Sequence, residues 1–407
     1  MAFSTVMLLA LAAGRASPDV SALPYPSPGG AGTIADLYLR PEVPAGNIGG
    51  VGGSLGGTLT SLPTIILLHG GGYCCGDRTE LNIIAERLKT HGFNVLNANY
   101  TLSVVGTSYA YPQAIRDVKS LIAWVRTDGA AFFNLNPQVV VVGNSAGATI
   151  GFTASFVQDD PLFDPPGDPP PGGYAVQMVC GLSGRSNMPW DFDVGNNVGN
   201  VINYFGGWMN QAQGGFLSRP YFERGSALYR VTPSCPPTAV YHSRYDTIVP
   251  FGHSQQLVNQ LVANQVPVVA RFPSNAAHAH TMFGEIYWAA DMIASDVCNL
   301  LNVSIPGFVP TPPPVITPPP PPPPPPPAPR PRPPAGPGGL ADVAHTGGQL
   351  GPDGIVTVDD LVAYLSAFFS GNLAVADLCG PGGVNNLDDD LSADDLICFL
   401  GAFFQAP

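Results

Sequence analysis

The sequence predicts an α/β protein: a mainly parallel β-sheet flanked by helices, followed by a small α-helical module. Three observations carry this. Short apolar runs such as TIILLHG and QVVVVGNS read as strands buried on both faces. Amphipathic helical stretches alternate with such runs through residues 20–304. Past a proline-rich break, one acidic unit occurs twice at an offset of 35 residues.

At the start, MAFSTVMLLALAAGRAS has an apolar core from Val6 to Ala13, then Gly14 and Ala16 at −3 and −1 cleavage spacing. It lacks a positive charge before that core. The expectation is a signal peptide over 1–16 and a secreted or cell-surface-associated protein. No other stretch is long and apolar enough to span a bilayer.

TIILLHG is then a strand, and LNIIAERLKTHG an amphipathic helix with a Gly stop. FNVLNANY is a strand and YPQAIRDVKSLIAWVRTDGAAF a long helix. QVVVVGNS leads into the helix AGATIGFTASFVQ. QMVCGLSG and PTAVYHSRYD are strands separated by an insertion rich in Gly, Asn and aromatics. SQQLVNQLVANQ is a helix, VPVVARF a strand and GEIYWAADMIASDVCNLL a closing helix. The domain spans 20–304, a linker 305–337 and the module 338–407.

From Pro306 to Pro337, 20 of 32 residues are Pro. Proline fixes φ and removes the backbone donor, so this run is an extended spacer, rising about 3.1 Å per residue. Of the 29 acidic residues, ten are Asp between 338 and 407, where no Lys, Arg or Glu occurs. The net charge of −13 therefore belongs mostly to the module. No basic patch is left to meet phosphates, which argues against nucleic acid as a partner. Seven Cys leave at least one unpaired within the chain, and the adjacent Cys74 and Cys75 are not expected to bond each other.

Gly143-Asn144-Ser145-Ala146-Gly147 fits G-x-S-x-G between a four-valine strand and a helix. Such a turn holds Ser145 in strained backbone and presents its hydroxyl above the strand ends. The glycines on either side give the turn room. His69-Gly70-Gly71-Gly72 ends an earlier strand, and its bare backbone leaves N–H groups free to face a developing oxyanion. Each such donor stabilises that charge by about 2.7–4 kcal/mol. The Ala146 N–H, next after Ser145, adds one more. Asp246 lies just past a strand, where a carboxylate can hold a histidine tautomer and stabilise its imidazolium.

HGGGY, GNSAG, Asp and His in this order resemble the α/β-hydrolase superfamily. More narrowly, the chain is similar to its esterase/lipase branch with an HGGG motif, hormone-sensitive-lipase-like and feruloyl-esterase-like. GDRTE, NANYTLS and YPQAIRDVKSLIAWV match that branch in order and spacing, over about residues 33–304. The resemblance implies Ser145 as nucleophile, Asp246 as the acid, and Gly71, Gly72 and Ala146 as oxyanion donors. Two Cys after the aromatic of GGGYCCGD depart from the family pattern.

The histidine is selected by position. His91 of HGF precedes Ser145, His242 reads as a strand residue, His253 as an outward-facing residue at a helix start, and His345 lies across the linker. His278 and His280 follow Asp246 in the expected place. Family spacing favours His278 as the base, with His280 the alternative. The one not used would line the site or fix the loop.

The repeat aligns ADVAHTGGQLGPDGIVTVDDLVAYLSAFF from Ala341 with ADLCGPGGVNNLDDDLSADDLICFLGAFF from Ala376. Each unit is an acidic loop before an amphipathic helix, and packing LVAYLSAFF on LICFLGAFF would form a small core. The pair resembles dockerin-type duplicated calcium-binding repeats. The resemblance makes Asp342, Asp353, Asp360, Asp377, Asp388 and Asp395 candidate Ca²⁺ ligands, although Gln349, Gly351 and Val384 fall where oxygen ligands belong. Cys379 and Cys398 replace Ala344 and Ala363 together, which suggests a disulfide within the second repeat.

The expected protein is a secreted serine carboxylic-ester hydrolase. It would act on short acyl or polysaccharide-linked esters, with no cofactor for catalysis and a protein or cell-surface partner for the module. The alternatives are a peptidase or formamidase of the same fold, or a non-catalytic adhesion protein on a hydrolase scaffold.

Overall fold

The computed structural model describes residues 18–27, 33–40, 62–104, 106–194, 198–207, 217–284, 286–314, 344–345, 349–350, 356–370, 396, 398–400 and 403. The chain divides into two units, Met1–Pro318 and Pro319–Pro407. The segment 1–16 expected to be a signal peptide lies outside the described residues.

In the first unit, strands β1 (Val20–Pro24), β2 (Ile34–Tyr38), β3 (Thr64–Leu68), β4 (Val95–Ala98), β5 (Val139–Asn144), β6 (Met178–Leu182), β7 (Thr238–Tyr241) and β8 (Val268–Arg271) form one sheet. Their order is β1-β2-β4-β3-β5-β6-β7-β8. From β4 to β8 all neighbours are parallel, whereas β2 pairs antiparallel with both β1 and β4. The apolar runs are legible because successive side chains enter opposite cores. Ile66, Leu68, Val139 and Val141 face one core. Ile65, Leu67, Val140 and Val142 face the other. Each such side chain, fully buried, contributes about 1.5–3 kcal/mol.

Helices cover both faces. α1 (Asn82–Thr90) places Ile84, Ala85 and Leu88 in the second core. α2 (Gln113–Trp124) runs through a π-helical turn at Val125–Gly129 into a short helix at Ala130–Phe133 and packs on the first core with α3 (Ala146–Phe156). The insertion between β6 and β7 holds α4 (Met188–Asp193), α5 (Val198–Phe205) and α6 (Arg219–Arg224). α7 (Gly252–Ala263) joins the first core and α8 (Ile286–Leu301) the second. Among the described residues no helix is long and apolar enough to cross a membrane.

Two expectations need correction. His253 does not face outward from its helix start: it is fully buried. The chain also does not leave the domain at 305. Ile305 is buried, and the Phe308 ring lies 4.7 Å from that of His91. The Thr311 N–H donates to Ser295 Oγ at 3.1 Å, and the Thr311 carbonyl accepts from Asn299 Nδ2 at 2.9 Å and Arg271 Nη2 at 3.2 Å. The reason is compositional: Phe308 supplies an apolar ring and Thr311 a backbone donor, both of which a pure proline run lacks. Residues 315–337 of the expected spacer lie outside the described residues.

In the second unit, β9 (Ala344–His345) pairs antiparallel with β10 (Gln349–Leu350). α9 (Val358–Ser370) contributes Tyr364 and Ala367 to a small core with Phe399. The Tyr364 and Phe399 rings stack at 3.9 Å. These belong to the two helical segments whose packing the repeat implies. Of the six candidate metal ligands only Asp360 is described. Its Oδ2 accepts the Thr357 N–H at 2.7 Å while Thr357 Oγ1 accepts the Asp359 N–H at 3.2 Å, a reciprocal cap on α9. That oxygen is committed to the helix start. Asp342, Asp353, Asp377, Asp388 and Asp395 lie outside the described residues. Cys398 is disulfide-bonded, and its expected partner Cys379 lies outside them too.

Candidate active site

β5 and α3 meet at Ser145, whose backbone sits at φ 55° and ψ −115°. That conformation is costly for a residue with a Cβ, and its surroundings hold it. The Ser145 N–H donates to the Leu182 carbonyl on the neighbouring strand at 2.7 Å. The flanking glycines permit the close approach. A Cβ on Gly143 would come 2.3 Å from the Gly147 carbonyl oxygen, and one on Gly147 would come 2.4 Å from that of His69. All of these are backbone contacts that cannot swing away. Gly147→Ala is therefore expected to destabilise the fold by about 3 kcal/mol, near the upper end for overpacking, as measured by chemical denaturation.

The histidine loop follows β8. His278 Nε2 lies 2.8 Å from Ser145 Oγ, and Nδ1 lies 2.7 Å from Asp246 Oδ2. With Nδ1–H donating to the carboxylate, Nε2 is the free lone pair that accepts the Ser145 hydroxyl. His280 turns elsewhere. Its backbone N–H donates to Asn144 Oδ1 at 3.0 Å, and its ring Nδ1 is 3.2 Å from the same oxygen. Between them Ala279 takes φ 56° and donates its N–H to Ser183 Oγ at 3.0 Å. Asn275 closes the loop, accepting from Ser243 Oγ at 2.6 Å and donating to the Met282 carbonyl at 2.9 Å. The structure thus brings Ser145, Asp246 and His278 together and makes His280 a loop anchor.

The Asp246 side chain is fully buried. Its Oδ1 accepts the N–H groups of Ile248 at 2.9 Å and Val249 at 3.1 Å. Burial alone would raise its pKa. The hydrogen bonds from His242 and His278, the nearby His278 charge and the Val249 N–H outweigh it and hold the carboxyl well below its ordinary range. A depressed carboxyl contributes stability that is fully present above its unfolded value of 3.8 and fades as pH falls below it. The stability lead of the wild type over Asp246→Asn should therefore shrink as pH is lowered from 5 towards 3, read by thermal unfolding at each pH.

His242, read from the sequence as a strand residue, supports this carboxylate. Its Nε2–H donates to the Val249 carbonyl at 2.9 Å and lies 3.3 Å from Asp246 Oδ2, while Nδ1 is 2.7 Å from Ser254 Oγ. The four-residue spacing His242–Asp246 was the available signal. His253 accepts the Asn187 N–H at Nδ1 and places Nε2 3.2 Å from Asp191, which also pairs with Arg185. Burial lowers the His253 pKa, so the ring stays neutral in this network. Its partners come from the insertion, which has no periodicity that would announce them.

The glycine run turns sharply after β3, with Gly71 at φ 114° and Gly72 at φ 59°. His69 braces the turn: its buried ring stacks on Tyr100 at 4.5 Å, and Tyr100 Oη donates to the His69 carbonyl at 2.9 Å. Gly72 and Ala146 line, with Ser145, a solvent-open pocket of about 310 Å³, and Gly71 sits in the turn outside that lining. Tyr73, Thr149, Arg185, Asn200, Ile248 and Val249 complete the wall. Arg185 and Asn200 were not legible in the sequence, because the insertion delivers them. Among the described residues no cluster of His, Cys, Asp and Glu fits a metal ion.

A family model described as BD-FAE matches residues 56–261, half of the chain. The chain belongs to the BD-FAE family. The match includes Ser145 and Asp246 and stops short of His278. This BD-FAE chain is 26% identical to Esterase LipQ of Mycobacterium tuberculosis over 293 residues, 71% of this chain and 63% of that protein. It is 26% identical to Esterase LipC of the same bacterium over 205 residues, 49% of this chain and 48% of that protein. The chain thus spans from about half to just under two thirds of the length of these relatives. Among solved structures, it is similar to a thermophilic esterase of the Planctomycetes species Thermogutta terrifontis, with TM-score 0.50 and 17% identity over 68% of this chain and 90% of that one. A bifunctional GH43-CE protein of Bacteroides eggerthii gives TM-score 0.51 and 18% identity over 65% of this chain and 33% of that one. At such identities the likeness concerns fold, and with the sheet order it makes this an α/β-hydrolase fold.

Proposed function

We propose that the chain is a serine carboxylic-ester hydrolase whose catalytic residues are Ser145, His278 and Asp246. The observation that carries the reading is the unbroken chain of hydrogen bonds from Ser145 Oγ through His278 to Asp246, at a pocket that Gly72 and Ala146 help to line. His278 Nε2 takes the Ser145 proton as Oγ attacks the ester carbonyl. The N–H groups of Gly71, Gly72 and Ala146 receive the oxyanion. Asp246 stabilises the imidazolium, which then gives its proton to the leaving alcohol. Water, deprotonated by the same ring, attacks the acyl-enzyme and releases the acid. No cofactor enters these steps.

The bulky side chains of Tyr73 and Arg185 in the wall beside Ser145 favour short acyl groups on simple or polysaccharide-linked alcohols. The apolar run at Val6–Ala13 favours secretion, and the repeat module favours a protein or cell-surface partner. The test is turnover of p-nitrophenyl acetate, butyrate and octanoate beside acetate release from an acetylated polysaccharide. Short esters should turn over fastest. A folded wild-type chain that cleaves none of these esters refutes the reading.

A further inference from the structure

Among the described residues five cysteines are free. Cys180, Cys235 and Cys298 are buried, whereas Cys75 is exposed and Cys74 half-buried, both just beyond Tyr73 in the turn that the glycine run opens. The Cys74 and Cys75 sulfurs lie 3.1 Å apart. The same two residues hold the turn. The N–H groups of Cys74 and Cys75 donate to the Gly71 carbonyl at 3.3 and 3.0 Å. A Cβ on Gly71 would come within 2.0 Å of the Cys75 carbonyl oxygen, so the two backbones touch. Gly72, next in the chain, lines the pocket with Ser145.

Adjacency alone argues against a bond between these cysteines, but the 3.1 Å approach of their sulfurs points the other way. We propose that Cys74–Cys75 is a thiol-modification site, oxidised reversibly to a vicinal disulfide by a small disulfide of the oxidised-glutathione class, and that this lowers turnover by shifting the glycine turn. One thiolate attacks the small disulfide, forming a mixed disulfide and releasing one thiol. The second thiolate attacks the protein-bound sulfur, closing Cys74 Sγ to Cys75 Sγ and releasing the other thiol. Two protein thiols are oxidised and one disulfide is reduced to two thiols. Adjacent Cα atoms across a trans peptide are about 3.8 Å apart, below the 4.4–6.8 Å usual for a disulfide. Closing the bond must therefore reshape the 74–75 peptide and with it the contacts on Gly71. The same strain makes the bond easy to reduce, which suits a reversible modification rather than a structural staple.

The effect on turnover rests on the reading of Gly72 as an oxyanion donor, and the existence of the site does not. The test uses the full chain, held in a phosphine reductant or equilibrated with oxidised glutathione, followed by peptide mass mapping and p-nitrophenyl acetate kinetics. The expected result is a loss of about 2 Da on the peptide holding Cys74 and Cys75. It should come with a fall in kcat of about tenfold or more, since one oxyanion donor is worth about 10²–10³ in rate. KM should change little, reductant should restore the rate, and Cys74→Ser/Cys75→Ser should ignore the oxidant. Two free thiols, or a persistent glutathione adduct without ring closure, overturns the site. A closed disulfide with unchanged kcat overturns its link to the oxyanion turn. If the reduced wild type cleaves no ester, the hydrolase reading fails and the mass map still decides the site.

Discussion

His278→Ala is expected to lower kcat by about 10⁵- to 10⁶-fold, and Ser145→Ala by a similar factor, because the two act as one unit. Among the described residues Ser145 Oγ has one base within reach, His278 Nε2 at 2.8 Å. Without it the hydroxyl stays protonated, and without Ser145 the base has nothing to activate. The double variant should be no worse than either single one, leaving the residual rate supplied by the oxyanion donors. His280→Ala is the control two residues away. Its ring touches Asn144 and not Ser145, and its backbone N–H keeps the bond to Asn144 whatever the side chain. The loss should stay below about tenfold, far from the catalytic scale. Steady-state kinetics on p-nitrophenyl acetate separates the two. Equal losses at 278 and 280 would sink the assignment.

Asp246→Asn should cost about 10⁴ in kcat while preserving the fold. The geometry fixes how the amide must sit. Ile248 and Val249 both aim N–H groups at Oδ1, so the amide oxygen takes that place. The NH₂ then faces His278 Nδ1 and imposes the wrong tautomer, leaving Nε2–H pointing at the Ser145 hydroxyl it should accept from. The same NH₂ also confronts His242 Nε2–H, a donor against a donor in a fully buried position. A drop in melting temperature should therefore accompany the loss of rate. A variant with near-wild-type kcat would show that the carboxylate does not orient the base.

Much of the frame was readable because its signals are local. β3 and β5 through β8 are apolar runs buried on both faces, and the Gly143 and Gly147 requirements follow from one sharp turn. β1 and β2 carry weaker signals for different reasons: VSALP at the sheet edge is mostly exposed, and IADLY, although buried, has the polar Asp36 in its middle, so neither reads as an apolar run. His253 reads as exposed in the sequence because a helix start predicts exposure by default. Its burial comes from Asn187 and Asp191, more than 60 residues away in the insertion. Thr311 likewise shows no sign in the sequence that Ser295, Asn299 and Arg271 will hold it.

By itself the sequence determined the β–α alternation, the strained serine turn, the glycine run behind it, the acid beyond a strand and the division at the prolines. Each depends on periodicity or on a backbone conformation that few residues tolerate, and such constraints act within a handful of positions. Family spacing favours His278 over His280, but it is the tertiary structure that decides which of the two, two residues apart, reaches Ser145. That choice rests on Ala279 at φ 56° and on bonds to Asn144, Ser183 and Asn275. Asn144 at the end of β5 and Ser183 just past β6 lie 136 and 96 residues upstream of their partners, and only folding brings them against the loop.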